Sequence, residues 1–257
     1  MDHLGASFVQ DEIIKVATIF KEVVIITEDS HRYDFPENVK KFILPNVSKK
    51  SKITVLLRSF WTIHVILISD FFSKGTSFSY LKQYLIRQSY LMQYLSLSRG
   101  LKFNFNFDKT DVLYAFFTYN NAALPVLLAK KFNCKFITCT HGRDLYEDRE
   151  PTTGKLAFRN YIFSNASIIL SVSNKGKEYL QDRYPKYVGK MQTYYLGTKK
   201  INDKHNTQVE NDKVVIVSCA NIMTSNIKRI ELIPPLLIEL AKHTDRNIEW
   251  VHFGNYD

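Results

Sequence analysis

Residues 135–146 read KFITCTHGRDLY, an apolar run typical of a buried strand that passes directly into a cluster of polar side chains. In open α/β sheets, ligands bind just outside the carboxyl ends of parallel strands. His141, Arg143 and Asp144 are expected to stand together at such an edge, which predicts the rim of an active site. The other interpretation is an ordinary exit from a strand into a loop whose polar side chains face water.

Strand-like and helix-like patterns alternate through the rest of the chain. Continuous apolar runs predict buried strands at 23–26, 42–44, 112–115, 136–139, 168–172, 214–218 and 250–253. Apolar residues at helical spacing predict helices at 8–20, 121–132, 174–183 and 229–243. Strands covered on both faces read as continuous apolar runs, and the connecting helices supply that cover. The pattern therefore predicts an α/β fold with parallel sheets.

A polar stretch at 197–212 divides this alternation in two. The alternation of strands and helices restarts beyond it, which is typical of a link between domains. The sequence predicts a Rossmann-like N-terminal domain at 1–200 and the start of a second Rossmann-like domain at 201–257.

The net charge of +10 is unevenly distributed along the 257 residues. Residues 213–257 contain five basic and five acidic side chains, so the whole excess lies in residues 1–212. A basic surface attracts nucleic acid, anionic lipid headgroups or phosphorylated substrates, and charge alone does not choose among them. No nucleic-acid recognition motif accompanies the charge, so we do not expect a nucleic-acid partner.

The cysteines and the N-terminal residues favour a cytoplasmic location. Cys134, Cys139 and Cys219 lack the spacing of a metal site, and we expect them to be reduced, buried thiols. A secretory signal consists of a basic start, an apolar segment and a cleavage site of small residues. The first residues do not show this pattern, so a secretory signal is not expected.

One apolar segment, 55–72, is nearly long enough to span a bilayer. Arg58, His64 and Asp70 interrupt it, and a charged group at the membrane centre costs at least ~2.5 kcal/mol. We therefore do not expect a transmembrane helix. Two interpretations stay open for this segment and the aromatic, basic stretch 80–99: an interior helix of the first domain, or a helix that rests on a membrane surface.

Six segments carry a family resemblance. They are FVQDEI at 8–13, HGRDLYEDR at 141–149, SVSNKGKEYL at 171–180, YLGT at 195–198, VSCANI at 217–222 and KRI at 228–230. In their order and spacing they resemble the retaining glycosyltransferases of family four, especially the bacterial members that assemble polysaccharides. The resemblance implies the GT-B fold, in which two Rossmann-like domains face each other across a cleft. The second domain would be incomplete in this chain.

The resemblance also implies an activity. A sugar passes from a nucleotide-sugar donor, bound mainly by the second domain, to a polysaccharide or lipid-linked acceptor on the first, with retention of configuration. The resemblance implies transfer without a metal, and no cofactor is expected because the nucleotide sugar is itself a substrate. Lysine, arginine and backbone N–H groups would then neutralise the leaving diphosphate.

The family's active-site histidine corresponds to His141, whose implied role is to position the sugar and contact the transition state. Gly5 corresponds to the glycine that lets the backbone approach the donor phosphates, although it also fits a simple start of the first helix. Arg143 and Asp144 are implied to bind the acceptor, and Asp144 has the alternative role of orienting His141.

The remaining implied donor contacts are Lys228 and Arg229. They stand at the predicted start of a helix, where the positive end of the helix dipole favours phosphate. The alternative is a pair of solvated charges. By alignment, this chain has two extra residues between Ile222 and Lys228, which weakens the correspondence of Lys228.

The chain also departs from the family pattern at its ends. It lacks the opening strand of the first sheet, and the paired glutamates of the family, E-x7-E, would lie beyond residue 257. We therefore expect a fragment without turnover of its own, with apolar surface exposed at 214–217, 233–240 and 250–251.

Two other functions remain open. A relative without catalytic activity would bind a sugar nucleotide or a membrane. A different Rossmann-like enzyme is disfavoured, because no G-x-G-x-x-G follows a strand. The basic first domain leads us to expect peripheral contact with anionic lipid at the inner face of the cytoplasmic membrane.

Overall fold

A computed structural model describes the chain in these stretches: residues 7–27, 33–43, 107–118, 122–147, 159–197, 212–220 and 229–254. Gly5, Lys228 and the segments 55–72 and 80–99 lie outside them, so the expectations placed on those residues stay predictions. Within the stretches that are described, no helix has the length and apolar character needed to cross a bilayer.

Helices and parallel strands alternate along the described chain. The helices are α1 Ser7–Ala17, α2 Ala123–Phe132, α3 Gly142–Leu145, α4 Arg159–Asn165, α5 Asn174–Arg183 and α6 Ile233–Ala241, with 3-10 helices at Pro185–Lys190 and Ile230–Leu232. The strands are β1 Val23–Thr27, β2 Val39–Ile43, β3 Val112–Ala115, β4 Lys135–Thr140, β5 Ile168–Ser171, β6 Met191–Thr193, β7 Lys213–Cys219 and β8 Asn247–Phe253.

All of the described strand pairs are parallel. They form a sheet of β1 and β2, a sheet in the order β3-β4-β5-β6, and a sheet of β7 and β8. The prediction of an α/β fold with parallel sheets is confirmed, and the four-stranded sheet is consistent with a Rossmann-like unit. Thr138 pairs with Ala115 on one side and with Ile169 on the other. This register brings the carboxyl ends of β3, β4 and β5 to one edge.

The main core surrounds the four-stranded sheet. Strand β4 is the best covered, because Thr138, Cys139 and Thr140 are each fully buried. Consecutive buried residues require cover on both faces of a strand, as parallel sheets provide. Helix α2 packs on β3, β4 and α4, and α5 packs on β5 and β6. The larger apolar side chains of this core are Val126, Phe136, Leu145, Ile162, Phe163, Ile169 and Leu180.

The chain divides into two compact units, Met1–Lys199 and Lys200–Asp257. The four-stranded sheet and its core belong to the first. In the second, no described residue is buried. Val217 is 61% exposed and Ile238 is 66% exposed. Exposed apolar surface in this region was the sequence-based expectation, although Trp250 and Val251 are partly covered.

The cysteines differ from expectation in one respect. None forms a disulfide, and Cys139 is buried as predicted. Cys134, however, is only partly buried. Cys219 is exposed, so the prediction of burial is wrong for both of these thiols. The strand of Cys219, β7, has only one neighbour, β8, and the alternate residues Val215, Val217 and Cys219 lie on the open face of that pair.

Candidate functional site

His141 lies directly at the carboxyl end of β4. Its backbone is extended, with φ −118°, and it caps the short helix α3. The imidazole is wedged against two rings that follow β3: its centroid is 4.6 Å from that of Phe116 and 4.5 Å from that of Phe117. The residue is only 7% exposed. Two adjacent strand ends therefore hold the histidine in place.

Asp144 joins those two strand ends through its carboxylate. One oxygen, Oδ1, accepts the backbone N–H of His141 at 2.6 Å. The other, Oδ2, accepts the backbone N–H of Thr118 at 2.5 Å. Asp144 is 2% exposed. Of the two roles predicted for Asp144, this geometry corresponds to orienting His141, through the main chain rather than through the ring.

Burial raises the pKa of Asp144 from 3.8 to about 6. The positive charge of Arg159 and the N–H groups of His141 and Thr118 act in the opposite direction, because they stabilise the ionised form. The carboxyl group is therefore mostly ionised at pH 7, and it is half protonated at about pH 6. Perturbed carboxyl groups of this kind are concentrated at functional sites.

Arg159 opens α4 and is buried beside Asp144, with 1% of its surface exposed. Its Nη2 donates to the backbone carbonyl of Asp144. Its guanidinium carbon lies 5.2 Å from the ring centroid of Phe163, within reach of a cation–π contact. The Nε and Nη1 atoms make no hydrogen bond with any part of the chain that the structure describes.

Threonine hydroxyls complete the polar edge of the sheet. Thr118 Oγ1 lies 2.7 Å from Thr138 Oγ1 and donates to the carbonyl of Cys139 at 2.9 Å. Thr140 donates to the carbonyl of Leu170 at 3.0 Å. Each of these buried hydroxyls therefore has a partner, as buried polar groups require.

A second polar group lies near the same strand ends. The hydroxyl of Tyr114 is hydrogen-bonded to Glu12 of α1 and to Cys139. Burial raises the pKa of Glu12 above its ordinary value of 4.5, although the bond from Tyr114 lowers it. Burial likewise raises the pKa of Cys139 to about 12, so this thiol is protonated at neutral pH and unreactive.

Glu147 anchors the chain just beyond α3. Its carboxylate, 1% exposed, accepts from Tyr184 and from Arg183 Nε, the latter at 3.0 Å. Its backbone N–H donates to the hydroxyl of Tyr179 at 2.9 Å. The end of helix α5 therefore fixes the segment that carries Asp144.

The two other predicted site residues that the structure covers belong to different units of the chain. Arg143 belongs to α3, but its side chain is outside the described residues. Arg229 is exposed and lies in the second unit, with a left-handed φ of 50°. A 3-10 helix follows it, and α6 begins only at Ile233. Arg229 is therefore the N-cap of the 3-10 helix that leads into α6, and its contact with the donor phosphates stays a prediction.

Sequence reasoning missed four residues that surround the histidine. Phe116, Phe117 and Thr118 follow β3 directly, and the rule that selected His141 after β4 applies equally to them. Their apolar and small side chains gave no chemical signal. Arg159 gave no chemical signal either, because it is buried beside Asp144, which lies 15 residues earlier in the chain.

No protein-family model matches the chain, and no curated protein matches it in sequence. The resemblance to retaining glycosyltransferases therefore rests on the motifs and their order alone.

Proposed function

We propose that this chain is a retaining glycosyltransferase of the GT-B type. It would move a sugar from a nucleotide-sugar donor to a polysaccharide or lipid-linked acceptor. One observation carries the proposal: His141 stands at the carboxyl end of a parallel strand, in the HGRD motif, held by a buried carboxylate and two aromatic rings. Substrates of open α/β enzymes bind at this edge.

In this proposal His141 contacts the transferred sugar rather than removing a proton. An imidazole can donate a hydrogen bond to a sugar hydroxyl and stabilise nearby charge without acting as a general base. The rings of Phe116 and Phe117 are partly exposed, so they offer apolar area to the C–H face of a sugar. Lys228 and Arg229 would neutralise the leaving diphosphate.

The low exposure of His141 favours a second candidate function. A substrate hydroxyl needs an open path to the ring, and only 7% of the residue is exposed. A relative that binds a sugar nucleotide or an anionic membrane without turnover needs no such path. The buried polar edge would then serve to stabilise the fold.

Nucleotide release distinguishes the two functions. The 257-residue chain, and any in-frame continuation of its gene, would be incubated with a panel of nucleotide sugars and a lipid-diphosphate acceptor. We expect nucleotide release, with retention of configuration in the product, from at least one of these forms. Turnover by either form supports the transferase. Donor binding without release in both forms would favour the second candidate.

A further inference from the structure

We propose that Arg159 and Asp144 act as one buried charge pair whose function is to position His141. Arg159 holds the peptide group of Asp144, and the Asp144 carboxylate holds the main chain of His141 and Thr118. The inference rests on the proposed function only in taking His141 as the group that contacts substrate. The geometry itself involves no substrate.

The carboxylate uses both oxygens, and this is the central step of the argument. Each oxygen accepts one backbone N–H, at 2.6 Å from His141 and at 2.5 Å from Thr118. An ionised carboxylate is purely an acceptor, whereas a protonated carboxyl group turns one oxygen into a donor. The ionised form therefore accepts from both strand ends at full strength, and protonation weakens at least one of the two bonds.

Arg159 supplies the charge that keeps this form. A buried carboxylate without a partner would protonate, because desolvation disfavours the charged state. The guanidinium cannot lose its proton in a protein, so its charge is constant over the physiological range. It is also fixed in direction, through its bond to the Asp144 carbonyl and its contact with the Phe163 ring.

The groups that face Asp144 come from three neighbouring elements. Strand β4 contributes Cys139, which stays neutral because burial raises its pKa to about 12. The end of β3 contributes Thr118, which does not titrate. Helix α4 contributes Arg159, and the end of β4 contributes the imidazole of His141. Burial therefore favours the neutral form of Asp144, whereas Arg159 and the two N–H groups favour the ionised form, and the hold on His141 weakens as pH falls through about 6.

Amide NMR of the full chain tests the pair directly. An N–H that donates to a carboxylate changes its chemical shift when the carboxylate gains a proton. We expect the amides of Thr118 and His141 to titrate together, with one midpoint near pH 6. In Arg159→Met the shared midpoint should rise by about 1 or more, since removing an opposite charge has that effect. Arg159→Lys should restore most of the difference.

Two further variants keep the test decisive. Arg183→Met removes an arginine that pairs with a different buried carboxylate, that of Glu147, and should leave the shared midpoint unchanged. Asp144→Asn should abolish both titrations. This variant tests the proposal even if Arg159→Met fails to fold. Separate midpoints for the two amides, or an equal midpoint in Arg159→Met and the unmodified chain, would overturn the proposal.

Failure of this inference and failure of the proposed function give different results. A shared midpoint that moves with Arg159, with no nucleotide release from the chain or from any in-frame continuation, supports the charge pair and removes the transferase. Retaining transfer in a protein whose amides do not titrate together supports the transferase and removes the charge pair.

Discussion

At the scale of single residues, Asp144 links the pH of the solution to the stability of the fold. Its pKa is raised from 3.8 to about 6, so between those values the folded chain holds a proton that the unfolded chain has lost. Stability from this group is therefore greatest below about pH 4 and falls as pH rises to about 6. The difference is about 3 kcal/mol, because each pKa unit corresponds to about 1.4 kcal/mol.

Asp144→Asn should flatten this dependence. Urea unfolding at several pH values between 4 and 7 would measure it, with the exposed Asp182→Asn as the control. Equal pH slopes in Asp144→Asn and the unmodified chain would contradict the raised pKa. Acid therefore has opposite effects on two properties. It stabilises the fold, while it weakens the carboxylate's hold on His141.

His141→Ala is expected to lower transfer by about 100-fold or more, the usual effect of losing one positioned hydrogen-bond donor to the transition state. The loss of folding stability should be too small to explain the loss of activity. The activity should therefore be low even at temperatures where the variant remains folded. Turnover and melting temperature would be measured together in a form of the protein that shows activity. The control is His243→Ala, since that histidine is exposed. Unchanged turnover in His141→Ala would remove the role assigned to His141.

At the scale of elements, Gly176 shows how closely α5 packs on the site. A Cβ at this position would lie 2.5 Å from Ser171 Oγ and 2.6 Å from Leu145 Cδ2. Alanine gains about 1 kcal/mol over glycine in a helix. Overpacking costs about 1–3 kcal/mol, and both neighbours are 1% exposed, so they have little room to move. The cost of overpacking should therefore exceed the gain in helix propensity.

Gly176→Ala should therefore destabilise the chain by about 1 kcal/mol, as a balance of those two effects. Chemical denaturation would measure it. Gly189→Ala is the matched control, because a Cβ at Gly189 meets nothing within 4 Å, and it should be neutral or slightly stabilising. Equal effects of the two substitutions would show that Leu145 and Ser171 can adjust.

The sequence predicted those helices and strands whose buried residues form an apolar run or a helical period within the element itself. Strand β3 is found at Val112–Ala115 and helix α5 at Asn174–Arg183, with both bounds as predicted. Strand β6 was missed because only Met191 of its three residues is buried, so no apolar run marks it. Helix α4 was missed because seven residues are too few to show a helical period.

The site was predictable only in part, for the same physical reason. A strand end followed by HGRD is a local signal, and it led to His141 and Asp144. The pairing of Asp144 with Thr118 and Arg159 joins parts of the chain 26 and 15 residues apart, and no sequence period connects them.

At the scale of the whole molecule, the charge predicts binding to anionic lipid. The whole excess of +10 belongs to residues 1–212, and exposed charges act over about 8 Å at physiological ionic strength. The chain should sediment with vesicles containing phosphatidylserine more than with neutral vesicles, and salt should weaken the binding. Equal sedimentation with both kinds of vesicle at low salt would contradict an electrostatic surface.

The two units should also differ in how readily they open. In the first, β4 lies between two neighbouring strands and has three consecutive buried residues. In the second, β7 and β8 form a sheet of two strands in which no described residue is buried. Isolated pairs of strands are marginally stable in water, and local opening free energy follows the number of buried apolar contacts.

Hydrogen exchange measures this difference strand by strand. Amides of Lys213–Cys219 should exchange at least about 10-fold faster than those of Lys135–Thr140, which corresponds to about 1.4 kcal/mol of opening free energy. Val217→Thr should hardly change the stability, because that side chain is 61% exposed. Equal protection of the two strands, together with a large loss of stability in Val217→Thr, would mean that the open face of β7 is covered in solution. Such cover would come either from residues outside those described or from another molecule. In the second case the apolar face of β7 would be an interface.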